Sequence, residues 1–141
     1  MKAKLLSPNP ILKADPLLEK DVWFASDMGL IPDVTHSVYL IKFSKITTPW
    51  LKIAAKKFLR FQAATKSFST CRGYIRSLNH FDEYLQTLEE HFSSSSINRT
   101  HIVGLIHYLT KKNLKPMTRG ITLINLRVFH QIGLLEGWLD W

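Results

Sequence analysis

One cysteine, Cys71, stands in 141 residues, so no disulfide can form within the chain, and a reducing, cytoplasmic setting is expected. Its place near the border of an apolar helix face suits a small buried side chain better than a reactive thiol. No apolar run reaches the roughly 18 residues of a membrane span. The opening Met1-Lys2-Ala3-Lys4-Leu5-Leu6 is broken by Ser7-Pro8-Asn9-Pro10, which argues against a signal peptide. The six histidines lack metal-ligand spacing, and His101 and His107, six apart, point to different sides of a helix. No glycine-rich phosphate loop, serine elbow or paired-carboxylate arrangement is present, so neither metal nor cofactor is expected. Asp82 and Glu83 are adjacent and face different ways, which reads as a solvated face rather than an acid/base pair.

Acidic residues are missing over long stretches. Between Val34 and Phe81 there are nine Lys or Arg and no Asp or Glu; from His91 to Leu135 there are six and again none. The net charge of +8 is therefore concentrated, and a field of one sign suggests a polyanionic partner. With 45% apolar residues the chain can bury a core of one ordinary domain.

The pattern is helical. Asp15-Pro16 predicts a short helix reaching about Met28, ended by Gly29, after a loose arm over residues 1–14. Val34 to Phe43 alternates as a strand does, without an evident partner. From Pro49 to about Ala64, Leu51, Ala54, Ala55, Phe58 and Leu59 recur at helical spacing, with Lys52, Lys56 and Arg60 on a separate strip. A second helix opens at Ser69 or Thr70 and runs to about Leu88, with Tyr74, Leu78, Phe81, Leu85 and Leu88 inward and Arg72, Arg76, Asn79 and Glu83 opposite. Phe58, Phe61, Phe81 and Tyr84 read as core. After the serine loop 93–96, a third helix is expected from Asn98 or Thr100 to Lys111, with Ile102, Leu105, Ile106 and Leu109 on one face. A fourth runs from about Met117 to Leu135 and is apolar nearly all round, with Ile121, Ile124, Val128, Ile132 and Leu135 as one stripe and Leu123, Leu126 and Leu134 away from it.

Charge along the second helix opposes its dipole: Arg72 and Arg76 come early, Glu83, Glu89 and Glu90 late. Each such placement costs up to roughly 1 kcal/mol when exposed. Helix stability does not explain these arginines, whereas a phosphate ligand beside a helix N-terminus does.

The spacing Ser67-x-x-Thr70-x-x-x-Tyr74-x-x-x-Leu78-x-x-Phe81-x-x-Tyr84-Leu85 resembles the N-terminal, core-binding domain of tyrosine recombinases, the phage-integrase family. The likeness continues through Ile102 to Ile106-x-Tyr108-Leu109 and into Met117-Thr118, Leu123, Leu126-Arg127-x-Phe129 and Gly137-x-Leu139. Phe43-Ser44-Lys45-Ile46 running into Pro49-Trp50-Leu51-Lys52 looks like a transposon- or integron-associated branch. The resemblance implies an all-α fold, a four-helix SAM-like bundle over residues 46–141 with an N-terminal extension over 1–45, and a bacterial or phage origin. It implies duplex DNA as partner and self-association in a recombinase multimer. Carried over by position, Thr70, Arg72 and Arg76 on the second helix and Lys115, Thr118, Arg119 and Thr122 on the fourth would be DNA-proximal, with Lys66 beside them. Lys52, Lys56, Lys57 and Arg60 would line the DNA backbone.

A complete recombinase also needs paired arginines, further basic or His groups and a nucleophilic tyrosine. No His-x-x-Arg occurs, and Tyr39, Tyr74, Tyr84 and Tyr108 all fall inside expected strand or helix. The expectation is a domain without strand-cutting ability, the catalytic domain being absent. Residues 1–45 are left as either an arm-type DNA-binding element or an extension that packs on the bundle. The alternative reading is a helical protein-interaction module that docks a partner through its apolar fourth helix.

Overall fold

Pro49 sets the first turn of α1 (Pro49–Gln62), and three more helices follow: α2 (Phe68–Thr87), α3 (Arg99–Lys111) and α4 (Pro116–Glu136). The computed structural model describes residues 15–31, 40–88 and 93–140. The arm over 1–14 and residues 34–39 of the expected strand lie outside the described residues. The fold is the expected all-α bundle, with a two-stranded sheet in its N-terminal extension.

In that extension the expected helix over 15–28 is replaced by two 3-10 turns, Pro16–Glu19 and Ala25–Met28, on either side of strand β1 (Val22–Phe24). Asp15 does cap the first turn, its Oδ1 accepting from the Leu17 amide at 3.0 Å. The β-branched and aromatic run Val22-Trp23-Phe24 favours extended backbone. It pairs antiparallel with β2 (Leu40–Lys42), the partner that sequence alone did not reveal, in the register Val22↔Lys42, Trp23↔Ile41, Phe24↔Leu40. The Trp23 indole donates to the carbonyls of Leu17 and Lys20 and packs against Phe43, ring centroids 4.6 Å apart. Trp23, Phe43 and Ile46 are wholly buried in the same core as the helices, so the described part of the extension packs on the bundle.

The core centres on Phe58 of α1, which meets Tyr74 of α2 edge-on at 5.0 Å and Phe129 of α4 at 5.2 Å. The α2–α4 seam is held by Asn125, whose side-chain amide donates to the Gly73 carbonyl and to Ser77 Oγ. Cys71 is buried here, and burial raises its thiol pKa to about 11, which makes it an inert core residue. Of the four aromatics expected inside, Phe61 is instead 44% exposed, stacked edge-on against Trp138.

Three further expectations change. The α2 cap is Ser67, whose Oγ accepts from the Thr70 amide, and Phe68, at the first helical position, is buried. In α3 only Leu105 and Leu109 are buried, while Ile102 and Ile106 remain exposed. In α4 the core side is Thr122, Phe129 and Gly133, with Asn125 at the seam. The expected stripe lies to one side: Ile121, Ile124 and Leu135 are exposed and Val128 and Ile132 half-buried. A Cβ on Gly133 would stand 2.7 Å from Leu139 Cγ, so a glycine is needed there, while Phe129 fills the core and Val128 and Ile132 pack against its edge. Gly137, at φ +76°, ends the helix in the left-handed conformation and lets the chain fold back to place Leu139 there.

Candidate nucleic-acid interface

The basic residues fall into groups with different surroundings. On α1, Lys56 is buried; its ammonium meets Asp21 Oδ1 at 2.8 Å and the Leu18 carbonyl at 3.2 Å. Lys52 reaches Asp21 Oδ2 at 3.2 Å, and Arg60 Nε meets Asp15 Oδ2 at 2.6 Å. The two ammonium groups hold the Asp21 carboxyl below its ordinary value of 3.8. These three side chains thus fasten the extension to α1, Lys56 from a buried position and Lys52 and Arg60 with 29% and 32% of their side chains still exposed. Lys57, the fourth member of that set, is half-buried and carries no ion pair among the described residues.

The start of α1 is itself anionic in character. Asp82, reaching across from α2, accepts from the amides of Thr47 and Thr48 at 3.1 and 3.0 Å and from the Thr47 hydroxyl at 3.2 Å. At 2% exposure it is no solvated residue, which corrects the reading from its adjacency to Glu83. The carboxylate binds the two amides that lead into α1 rather than the first-turn amides a Thr48 side chain would cap, and its charge suits the positive end of the helix. A carboxylate at position 82 serving a helix that begins at 49 gives no local signal in sequence.

The start of α2 is built differently. Lys66, Thr70 and Arg76 are exposed, and Arg72 is half-buried with its guanidinium 6.0 Å from the Phe68 ring centroid. Lys66 and Arg76 carry no ion pair among the described residues. The acids on this helix lie elsewhere: Asp82 is engaged at α1, and Glu83 is bound by Lys112 at 2.6 Å beside His80. Burial and the neighbouring Lys112 ammonium hold the His80 pKa below its usual value, so the ring is neutral at pH 7. Asn79, on the outward face expected of this helix, has its carbonyl oxygen enclosed without a hydrogen-bond partner among the described residues.

The start of α4 repeats the cationic pattern. Lys115 is the cap residue, exposed, with Pro116 following; Thr118 and Arg119 are half-buried in the first turns. Lys112, four residues before α4, touches His80 and Glu83, which brings this start beside the later half of α2. Thr122 departs from its expected role. It is 2% exposed and donates to the Thr118 carbonyl, a seam residue without an outward hydroxyl.

Tyr74 and Tyr84 are buried, burial raises the Tyr84 pKa, and Tyr39 lies outside the described residues. No cluster of three metal-ligating side chains exists among the described residues, and no described helix is long and apolar enough to cross a membrane.

Residues 55–137, more than half of the chain, match the family model of the phage integrase N-terminal SAM-like domain. The chain belongs to that family. Neither a search of characterised proteins nor one of solved structures gave a match.

Proposed function

We propose that this chain grips duplex DNA as the non-catalytic clamp domain of a tyrosine recombinase, acting in a multimer assembled on its recombination site. The observation that carries the reading is the contrast between helix starts on an integrase-family domain: α1 receives an internal carboxylate, whereas α2 and α4 begin among exposed cations. A phosphate is the complementary group for such a start, because amide dipoles and side-chain cations act on it together. Lys66, Thr70, Arg72 and Arg76 form the principal contact, Lys115, Thr118 and Arg119 a second, and Lys57 a flanking one. Phosphate contacts by these groups fix orientation and supply most of the affinity. The domain's part in recombination is grip, and cleavage is not assigned to it.

The test is fluorescence anisotropy of a labelled duplex of about 30 base pairs, titrated at several salt concentrations. Each phosphate contact contributes about 0.9 to the log-log salt slope, so Arg72→Ala/Arg76→Ala should lower the slope by roughly 2. No binding at low salt, or a double variant that binds as the parent does, overturns the reading.

A further inference from the structure

Between α3 and α4 the surface opens into a groove of about 470 Å³, within the range of roughly 300–1,000 Å³ typical of ligand sites. Its floor is apolar, made by Ile102, Leu105 and Ile106 of α3 and Leu123 and Leu126 of α4. Ile102 and Ile106 are 38% and 43% exposed, an unusual state for branched residues one turn from the fully buried Leu105 and Leu109. The border is cationic. Arg99 and Arg127 stand there with His130; both arginines are exposed and carry no ion pair among the described residues. Among the described residues no Asp or Glu lines the groove, and none occurs in sequence from 91 to 135.

This combination selects among occupants. Duplex DNA would satisfy the arginines but has nothing to cover an apolar trough. A second copy would bring another chain of net charge +8 against the cationic border. The complementary surface is apolar along one ridge and anionic on its flanks, and a trough between two packed helices has the shape that takes the ridge of a third. We propose that this groove receives an amphipathic helix of a partner protein, with leucine-like residues at helical spacing facing Ile102, Ile106 and Leu123, and flanking Glu or Asp pairing with Arg99 and Arg127. The inference does not depend on the DNA reading, since these residues lie outside the contacts proposed for it.

The probe is a labelled, end-capped peptide of about 18 residues, longer than the 12–15 below which isolated helices are marginal, with Leu at i, i+3, i+4 and i+7 and Glu on both flanks. Two controls accompany it: a twin with Lys for Glu, and a scramble of identical composition that breaks the Leu spacing. The Glu peptide should bind saturably and at least about tenfold more tightly than either control. Arg99→Glu/Arg127→Glu should transfer the preference to the Lys twin, and the single Arg127→Glu, at an exposed site, should shift it the same way. Ile106→Ser, which alters no charge, should weaken the peptide about tenfold and leave duplex-DNA affinity unchanged. Equal binding of the Glu peptide and its scramble, an unchanged preference in both charge-swapped variants, or no peptide binding to a chain that still binds DNA overturns the proposal. So does a concentration-dependent dimer in sedimentation that Ile106→Ser disperses.

Discussion

At the start of α1 a buried carboxylate accepts three hydrogen bonds, and along the same helix Lys52 and Lys56 meet Asp21 while Arg60 meets Asp15. At the start of α2 a serine hydroxyl caps the helix, and Lys66, Thr70 and Arg76 face outward. The two helices carry basic residues at similar spacing and differ in where the complementary anion comes from. For α1 it lies within the chain, from Asp82 on a neighbouring helix and from Asp15 and Asp21 in the extension. For α2 no acidic partner of Lys66 or Arg76 lies among the described residues, and on the proposed reading the anion is DNA phosphate. Basic spacing therefore reports a need for anions, and only the fold reveals which anions are internal.

The strongest way to break this comparison is to remove the internal anion. Asp82→Ala leaves two amides and a hydroxyl of the part-exposed Thr47 and Thr48 without their acceptor, and with about 1–3 kcal/mol for a fully orphaned buried group and water able to replace part of it here, the loss should be about 2 kcal/mol in urea unfolding. Asp82→Asn, which keeps an acceptor oxygen, should lose less. The next contrast compares the two sets of cations directly. Arg72→Ala/Arg76→Ala should reduce duplex affinity at least about tenfold, or 1.4 kcal/mol, with the melting temperature little changed. Lys52→Ala/Arg60→Ala should do the reverse, lowering the melting temperature while duplex affinity changes much less. Equal loss of DNA affinity in both double variants would erase the distinction.

The four helices were legible because periodicity, prolines at first turns and Gly137 are local signals. Pro49, Asn98 and Gly137 lie where the structure starts or ends a helix. What could not be read was pairing at a distance. Val22-Trp23-Phe24 becomes a strand because Leu40–Lys42 lies beside it, and Asp82 is buried because the start of α1 meets it 34 residues away in sequence. The inward side of α4 was misjudged for a related reason: an apolar stripe identifies an interior only when hydrophobicity, and not closeness of approach, decides which side faces in. Asn125 faces the seam because Gly73 and Ser77 of α2 supply its hydrogen-bond partners, and Gly133 is inward because Leu139 folds back onto it. For the candidate site, the division of the basic residues was hidden, since Lys52 and Arg72 look alike until Asp21 is in place.

A smaller effect tests the internal pairing through pH. The Asp21 carboxyl has a folded pKa below 3.8, so its stabilisation is fully present above that ordinary value and is lost as pH falls through it towards the folded pKa. Asp21→Asn should accordingly melt lower than the parent at pH 6 and converge with it well below pH 4. Because the Asp21 side chain is 45% exposed, the difference at pH 6 should be no more than about 1 kcal/mol. A gap that persists undiminished into acid would mean that packing, rather than the charge, ties the extension to α1.

The smallest effect concerns the cap of α2. Ser67→Ala removes the hydroxyl that accepts from the Thr70 amide, and because the site is exposed, water can replace it; the cost should be about 0.5–1 kcal/mol, well under that of Asp82→Ala. The same variant bears on ligand binding. It frees an amide at a helix start surrounded by Lys66, Arg72 and Arg76, so duplex DNA should recover part of the lost stability, and the melting temperature of Ser67→Ala should rise with added duplex at least as much as the parent's does. For Asp82→Ala the freed amides of Thr47 and Thr48 meet α2 near position 82, ten residues along the helix from Arg72, and added duplex should raise its melting temperature no more than the parent's. A larger rise in Asp82→Ala than in Ser67→Ala would reverse the assignment of internal and external anions to the two helices.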